Sequence, residues 1–290
     1  MRTKVKPPAN YFGGKYGSIG DVVAQLLPPH KFYVEPFGGM AGVMFHKTPS
    51  LVEVYNDLDS RLVNLFRVLQ EKKSSKDLIG LLKNTLFSRE EYIRAHQLLK
   101  EDYRGSDWPL ACAWATIVAL SQGIQPSMRH NGFRNGGSKY ETSVARLWKK
   151  RNLNLPAVTE RISDWIIENQ SAEKIMLRYN VEDAVIFCDP PYVHSSKNLN
   201  SQAKQVKDYK CEMTDLEHEL FLIVANHLKA KVIICGYDNQ LYNDLLKDWH
   251  RVDIEVISGM AAALPNADDG RRTEVLWANF PLNTQMRLFK

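Results

Sequence analysis

What this sequence has little of narrows it first. Only four of its 290 residues are cysteine (Cys112, Cys188, Cys211 and Cys235), and no two of them share a paired spacing. That argues against a disulfide framework or a zinc ribbon. Cys188 and Cys235 each close an apolar run, so core thiols in a reducing cytoplasm are expected. The eight histidines are scattered, with no His-x-x-x-His or His-x-Glu pattern, and no metal is expected. Long apolar runs are missing as well. The longest, Leu110 to Leu120, is too short to span a bilayer and reads as a buried helix. Met1 to Gly20 is polar and basic, without the apolar centre of a secretory signal, so a cytoplasmic protein with no membrane partner is expected. Gly-x-Gly-x-x-Gly does not occur, which disfavours a nicotinamide-dependent oxidoreductase.

What is present is an ordinary globular composition, 44% hydrophobic, at a length suited to one large α/β domain or a core with an inserted lobe. The most informative stretch is Asp189-Pro190-Pro191-Tyr192 behind the apolar run Ala184 to Cys188. Such a run reads as a buried strand, and two prolines that cannot join a ladder stop it abruptly. The turn then sits at the strand's carboxyl end, the edge where open α/β sheets bind ligands. It offers an acceptor-only carboxylate, the Pro190 carbonyl and an aromatic face. That set suits a flat ring with an exocyclic amine, whose lone pair is delocalised until two acceptors engage its N–H bonds. A rigid turn with ordinary turn residues accounts for the same tetrapeptide.

Asp-Pro-Pro-Tyr after an apolar strand resembles the catalytic motif of amino-methyltransferases that act on DNA. Over nearly its full length the chain is similar to the Dam-like adenine-N6 family, in its phage and prophage form. Tyr11 and Lys15, around Gly13-Gly14, match an aromatic-x-Gly-Gly-Lys motif whose aromatic and lysine contact S-adenosylmethionine (AdoMet) in that family. Alone, the stretch reads as a surface turn. Glu35-Pro36-Phe37-Gly38-Gly39 follows the strand Lys31 to Glu35 and resembles the Glu-Pro-Phe-x-Gly-x-Gly motif of AdoMet-dependent DNA methyltransferases. Gly39-Met40-Ala41-Gly42 is a variant of it. Asp57 ends a second strand, Leu51 to Tyr55, about 20 residues on, where an acid suits a ribose diol. It also suits the cap of the following helix, whose apolar face is Leu58, Leu62, Leu65, Phe66 and Leu69. Relatives often carry an acid before the catalytic strand, against the AdoMet adenine; Ser171 occupies that place here.

Between 70 and 151 the sequence shows helix signals and no clear strand. Arg129 to Arg151 holds seven basic residues (Arg129, Arg134, Lys139, Arg146, Lys149, Lys150, Arg151) against the single acid Glu141. That surplus exceeds the whole chain's net +5, so the charge is concentrated. With Phe133, Tyr140 and Trp148 interleaved it suits a phosphate backbone, while a solvated charged face is the plainer reading. Arg129 and Arg134 lie in a Gly/Asn-rich loop and are assigned to base reading; Lys149, Lys150 and Arg151 are assigned to phosphates.

After Leu155-Pro156 the α/β pattern is expected to resume, with a helix over Val158 to Ile167. A polar stretch from Val193 to Cys211 reads as a binding loop. Thr214 to Glu217 is a capping box with Leu216, Leu220, Ile223 and Val224 behind it, Lys231 to Gly236 is a strand, and His250 to Ser258 with Glu274 to Asn279 suggests an antiparallel pair. The resemblance implies an α/β, Rossmann-like AdoMet-dependent methyltransferase core from 1–69 and 152–290, with an inserted, mainly helical target-recognition domain at 70–151. It implies methylation of adenine N6 in double-stranded DNA, with Asp189, Pro190, Pro191 and Tyr192 catalytic. Cytosine-N4 methylation ranks below, because that chemistry more often carries Ser before Pro-Pro-Tyr. A DNA-binding protein that has lost catalysis on the same fold is a reading from another class.

Overall fold

The structure is a computed structural model, and the residues it describes are 5–11, 13–100, 106–135, 143–193, 212–257 and 271–282. In chain order the elements are α1 (Ser18–Leu26), β1 (Phe32–Glu35), α2 (Gly42–His46), β2 (Val52–Asn56), α3 (Ser60–Gln70) and α4 (Lys72–Asn84). There follow α5 (Arg89–Lys100), α6 (Trp108–Gln122), α7 (Val144–Arg161), β3 (Ile166–Glu168), α8 (Ala172–Arg178) and β4 (Ala184–Cys188). The last are α9 (Asp215–Asn226), β5 (Lys231–Gly236), α10 (Gln240–Leu245), β6 (His250–Ile257) and β7 (Arg271–Ala278). They divide into two compact units. One comprises residues 17–38, 47–58 and 170–290; the other comprises 1–16, 39–46 and 59–169.

The first of these is built on strands in the order β2-β1-β4-β5-β7-β6. β2, β1, β4 and β5 run parallel, and β7 and β6 complete the sheet antiparallel. β4 is Ala-Val-Ile-Phe-Cys, buried at every position, as a central strand covered on both faces must be. Its register sets Val34 beside Ile186 and Cys188 beside Ile234. Leaving β1, the chain turns to β2 on one side and later returns to β4 on the other. The crevice between the carboxyl ends of β1 and β4 is therefore a topological switch point. Val34, Ile186 and Ile234 from the sheet meet Ile175 and Met176 of α8, Phe221 and Leu222 of α9, and Tyr242 of α10 in one core cluster.

The expected pairing of the two late strands holds, from His250↔Ala278 to Ile257↔Arg271. The Thr214 capping box is also present, with reciprocal bonds to Glu217. The face behind it is not the expected one. His218, Phe221, Leu222 and Ala225 are buried, while Leu216 is 63% exposed and Leu220 52%. α9 is apolar on more than one face, so spacing alone could not choose between them.

The other unit is helical apart from β3. α6 is buried along most of its length and packs against α3, α4 and α5. Thr85, just past α4, accepts from two indoles: Trp114 reaches its hydroxyl at 2.8 Å and Trp148 its carbonyl at 3.0 Å. This unit takes in 59–69 and 152–169 as well as the segment from 70 to 151. α7 does not stop at Pro156. It continues to Arg161, with Leu155 and Val158 fully buried and Pro156 facing solvent. The strand β3 follows where a helix to Ile167 was expected. Among the described residues no helix is long and apolar enough to cross a membrane.

Candidate active site

Asp189, Pro190, Pro191 and Tyr192 leave β4 at the carboxyl edge of the sheet. Pro190 is buried, and Asp189 and Tyr192 are half-buried. The Tyr192 hydroxyl donates to Oε2 of Glu274 on β7 at 2.6 Å. Its ring meets the ring of Tyr237, just past β5, at 4.4 Å between centroids and 61° between planes. Burial pushes the Tyr192 phenol well above its ordinary pKa, with the charges of Asp189 and Glu274 adding to it. Burial likewise raises the Cys188 thiol, and the Asp189 charge next to it raises it further. Neither group is a nucleophile near neutral pH, and the accessible chemistry is that of positioned acceptors.

The turn after β1 lies at the same edge. Its tight course is set by contacts with the end of β2. The Gly38 amide donates to the Asn56 carbonyl at 2.7 Å, and a Cβ on Gly38 would sit 2.3 Å from the Tyr55 ring, so no other residue fits. Asn56, fully buried, donates through Nδ2 to the Pro36 carbonyl at 2.8 Å and the Gln170 carbonyl at 3.0 Å, and accepts from the Gln170 amide at 2.9 Å. One side chain thus ties together the turn of Glu35 to Gly38, the Asp57 corner and the loop entering Ser171. Phe37 packs edge-on against Phe221 at 5.4 Å, which roots the turn in the core. Glu35 is buried and accepts from the Tyr33 hydroxyl at 2.9 Å. The cap of α3 is Asp59, which accepts from the Arg61 amide; the capping alternative for Asp57 is therefore excluded. Ser171 precedes α8 without a side-chain capping bond.

In the helical unit, Tyr11, Lys15 and Gly39 are neighbours. The Tyr11 ring lies over Gly39, within 3.4 Å of where its Cβ would be, and Gly39 has φ +50°. The Gly14 amide closes a turn onto the Tyr11 carbonyl at 3.0 Å. Gly42 is required because its Cβ would meet the backbone of Tyr16 at 2.7 Å. Lys15 is buried and its Nζ donates to the Gly13 carbonyl at 3.0 Å. Ala41 holds a left-handed φ of 56°, which glycine would take without strain.

The basic residues separate by environment. Arg129, Lys149 and Lys150 are exposed. Arg134 and Arg151 instead attend the end of α6: Arg134 donates to the Ile124 carbonyl at 3.1 Å, and Arg151 to the Ser121 hydroxyl at 2.9 Å. Burial, with Arg134 beside it, brings the Arg151 guanidinium down to about 10, so it stays charged at neutral pH. Arg151 is thus engaged at the end of α6, apart from the exposed Lys149 and Lys150. Phe133 and Trp148 are not phosphate-facing aromatics. Trp148 is buried, and Phe133 packs with Phe87 at 5.2 Å and Tyr92 at 6.1 Å. Lys139 and Tyr140, and the stretch from His194 to Cys211, lie outside the described residues. Among the described residues no group of three metal-ligating side chains occurs.

Two residues of this edge escaped the sequence reading. Glu274 is a lone acid heading the buried run Val275 to Ala278, and Asn56 is a polar residue directly behind an apolar strand. An inward-facing polar side chain at a strand end was the available signal.

A mostly parallel sheet with its switch point beside a Pro-Pro turn and a Gly turn defines a Rossmann-like methyltransferase. The model of the D12 class N6 adenine-specific DNA methyltransferases matches residues 11–260, and the chain belongs to that family. It is similar to a DNA adenine methylase of Serratia marcescens, 24% identical over 253 residues, covering 82% of this chain and 84% of that protein. It is also similar to the DNA adenine methylase of Escherichia coli (strain K12), at 22% over 270 residues and 92% of each chain. The Type II methyltransferase M1.LlaDCHI of Lactococcus lactis subsp. cremoris is 25% identical over 295 residues, covering 96% of this chain and 97% of that protein.

Proposed function

We propose that this protein transfers the methyl group of AdoMet to N6 of an adenine flipped out of double-stranded DNA, at a defined sequence. The observation that carries the reading is the Asp189-Pro190 turn at the β1/β4 switch point, with the Gly38 turn alongside. Duplex pairing buries the N6 amine, so the base has to leave the stack to reach such an edge. The Asp189 carboxylate and the Pro190 carbonyl accept the two N–H bonds and restore lone-pair density to nitrogen. Tyr192 stacks on the ring. When bound, AdoMet would supply an electrophilic methyl carbon held on a sulfonium leaving group, and N6 would take that methyl and release one proton.

The donor set fits AdoMet. Glu35, Asp57 and Asp189 present carboxylates at one sheet edge, which suits a sulfonium cation carrying a ribose diol. Asp57 is assigned to the diol, and Pro36, Phe37, Gly38 and Ser171 to the rest of the cofactor. Tyr11, Lys15 and Gly39 carry the same assignment from the family resemblance. The exposed Arg129, Lys149 and Lys150 are assigned to DNA, and Lys139 joins them by sequence.

The experiment is transfer of labelled methyl from AdoMet to unmethylated genomic DNA, with the product nucleoside identified by mass spectrometry and its context by long-read sequencing. N6-methyladenine in one recurring motif is expected. N4-methylcytosine, or AdoMet binding without transfer, would overturn the reading.

A further inference from the structure

Glu274 takes no part in the chemistry above, yet it is what holds Tyr192. The two are 82 residues apart, and the Tyr192 hydroxyl donates to Oε2 of Glu274 at 2.6 Å. The same Oε2 also accepts from the Cys235 thiol at 3.4 Å. Glu274 reaches this place because β7 is bonded to β5, with Val275 opposite Gly236. The same pairing brings Tyr237 against the Tyr192 ring, with 61° between the planes. A loop residue is thereby pinned at its hydroxyl by a sheet strand and along its ring by a second aromatic.

Two consequences follow from the chemistry of that bond. The tyrosine hydroxyl donates to the carboxylate, which fixes the long axis of the ring, and the Tyr237 ring packed against it limits rotation about that axis. The donated hydrogen bond also pushes electron density into the phenol ring. A richer π face attracts the positive charge that develops at the amine as it takes the methyl group, and the neutral base benefits less. The effect is then larger in the transition state than in the bound substrate. A buried acid merely satisfied by the nearest hydroxyl would affect stability and leave turnover alone.

We propose that Glu274 is a positioning residue for methyl transfer, fixing and enriching the Tyr192 ring as the stacking face for the target base. This rests on the adenine-methyltransferase reading above. The test is a double-mutant cycle on kcat and KM, using labelled AdoMet and unmethylated genomic DNA. Glu274→Ala is expected to lower kcat by about 10–100-fold with KM for both substrates within about threefold. Glu274→Gln keeps an acceptor and is expected to retain kcat within about tenfold. In a Tyr192→Phe background, which already lacks the hydroxyl, Glu274→Ala should cost less than about twofold more. Equal losses in both backgrounds, or unchanged kcat in Glu274→Ala, would overturn the proposal. If Glu274→Ala does not fold, Tyr192→Phe alone decides: wild-type kcat without the hydroxyl also overturns it. A wild-type protein that transfers no methyl group refutes the adenine-methyltransferase reading, whereas an active wild type with an additive cycle refutes only the role of Glu274.

Discussion

Asn56 and Gln170 hold each other twice, Nδ2 to carbonyl at 3.0 Å and amide to Oδ1 at 2.9 Å, across 114 residues of chain. The remaining Nδ2 hydrogen goes to the Pro36 carbonyl, so the side-chain amide is fully used. Asn56→Ala leaves these backbone groups buried and unpaired. A stability loss of about 1–3 kcal/mol is expected, together with weaker AdoMet binding. Chemical denaturation and calorimetric titration measure the two, and an unchanged midpoint would remove Asn56 from its place at the centre of the edge.

Asp57 lies beside that junction and is not the helix cap. Asp57→Ala should weaken AdoMet binding by about 1–3 kcal/mol through loss of the acceptor pair to the ribose. Titration of the folded variant with AdoMet checks this, and wild-type affinity would detach Asp57 from the cofactor.

Asp189 is expected to contribute to turnover and little to folding, since it is half-buried beyond the last residue of β4. Asp189→Ala should lose about 3 kcal/mol or more of transition-state stabilisation, the scale for a preorganised polar contact. Methylation rate and thermal melting are measured on the same preparation. A near wild-type rate would sink the mechanism.

The basic residues divide into two tests. Lys149→Ala with Lys150→Ala is expected to weaken binding equally on all duplexes and make the salt slope shallower by up to about two units. Arg134→Ala should instead lower stability, by about 1 kcal/mol, because its guanidinium holds the Ile124 carbonyl in the turn that follows α6. Binding across a salt series, beside thermal melts, separates them. A flattened salt slope in Arg134→Ala with unchanged melting would return Arg134 to the DNA.

His96 gives a pH signature. Its ring is buried between Tyr92 at 4.5 Å and His130 at 5.2 Å. Burial holds its pKa down to about 4, with the charges of His130 and Lys100 pushing the same way. The folded state then binds fewer protons than the unfolded state, whose histidine titrates near 6.5. Its contribution is therefore present above about 6.5 and is lost as pH falls towards about 4. His96→Phe should show a shallower fall in melting temperature over that window; parallel curves would exclude His96 as a source of acid sensitivity.

The parallel strands were the most legible part of the chain. β4 and β5 are continuous apolar runs between turn residues, and their limits coincide with those expected from sequence. The Thr214 capping box is local chemistry and equally plain. α7 was obscured by Pro156, whose effect depends on which side of the helix meets solvent. The faces of α9 were obscured because Leu, Ile and Phe occupy both. At the catalytic edge the turn itself was visible, but its supports were not. Tyr192 with Glu274, and Asn56 with Gln170, are joined by side-chain hydrogen bonds across 82 and 114 residues, and no local pattern encodes such distances.

The position of β7 has a consequence for how the protein is made. β6 precedes β7 in the chain but, among the described residues, pairs with β7 alone, and β5 takes β7 as its neighbour on that side. A nascent chain that has emerged as far as β6 therefore holds an unpaired hairpin arm and an uncapped sheet, and Tyr192 still lacks Glu274. The ribosome delivers the strand that closes the sheet and the carboxylate that steadies the aromatic face in the same few codons. Among the described residues β7 is the strand made last, so a chain made only as far as β6 has the Asp-Pro-Pro-Tyr turn without Glu274.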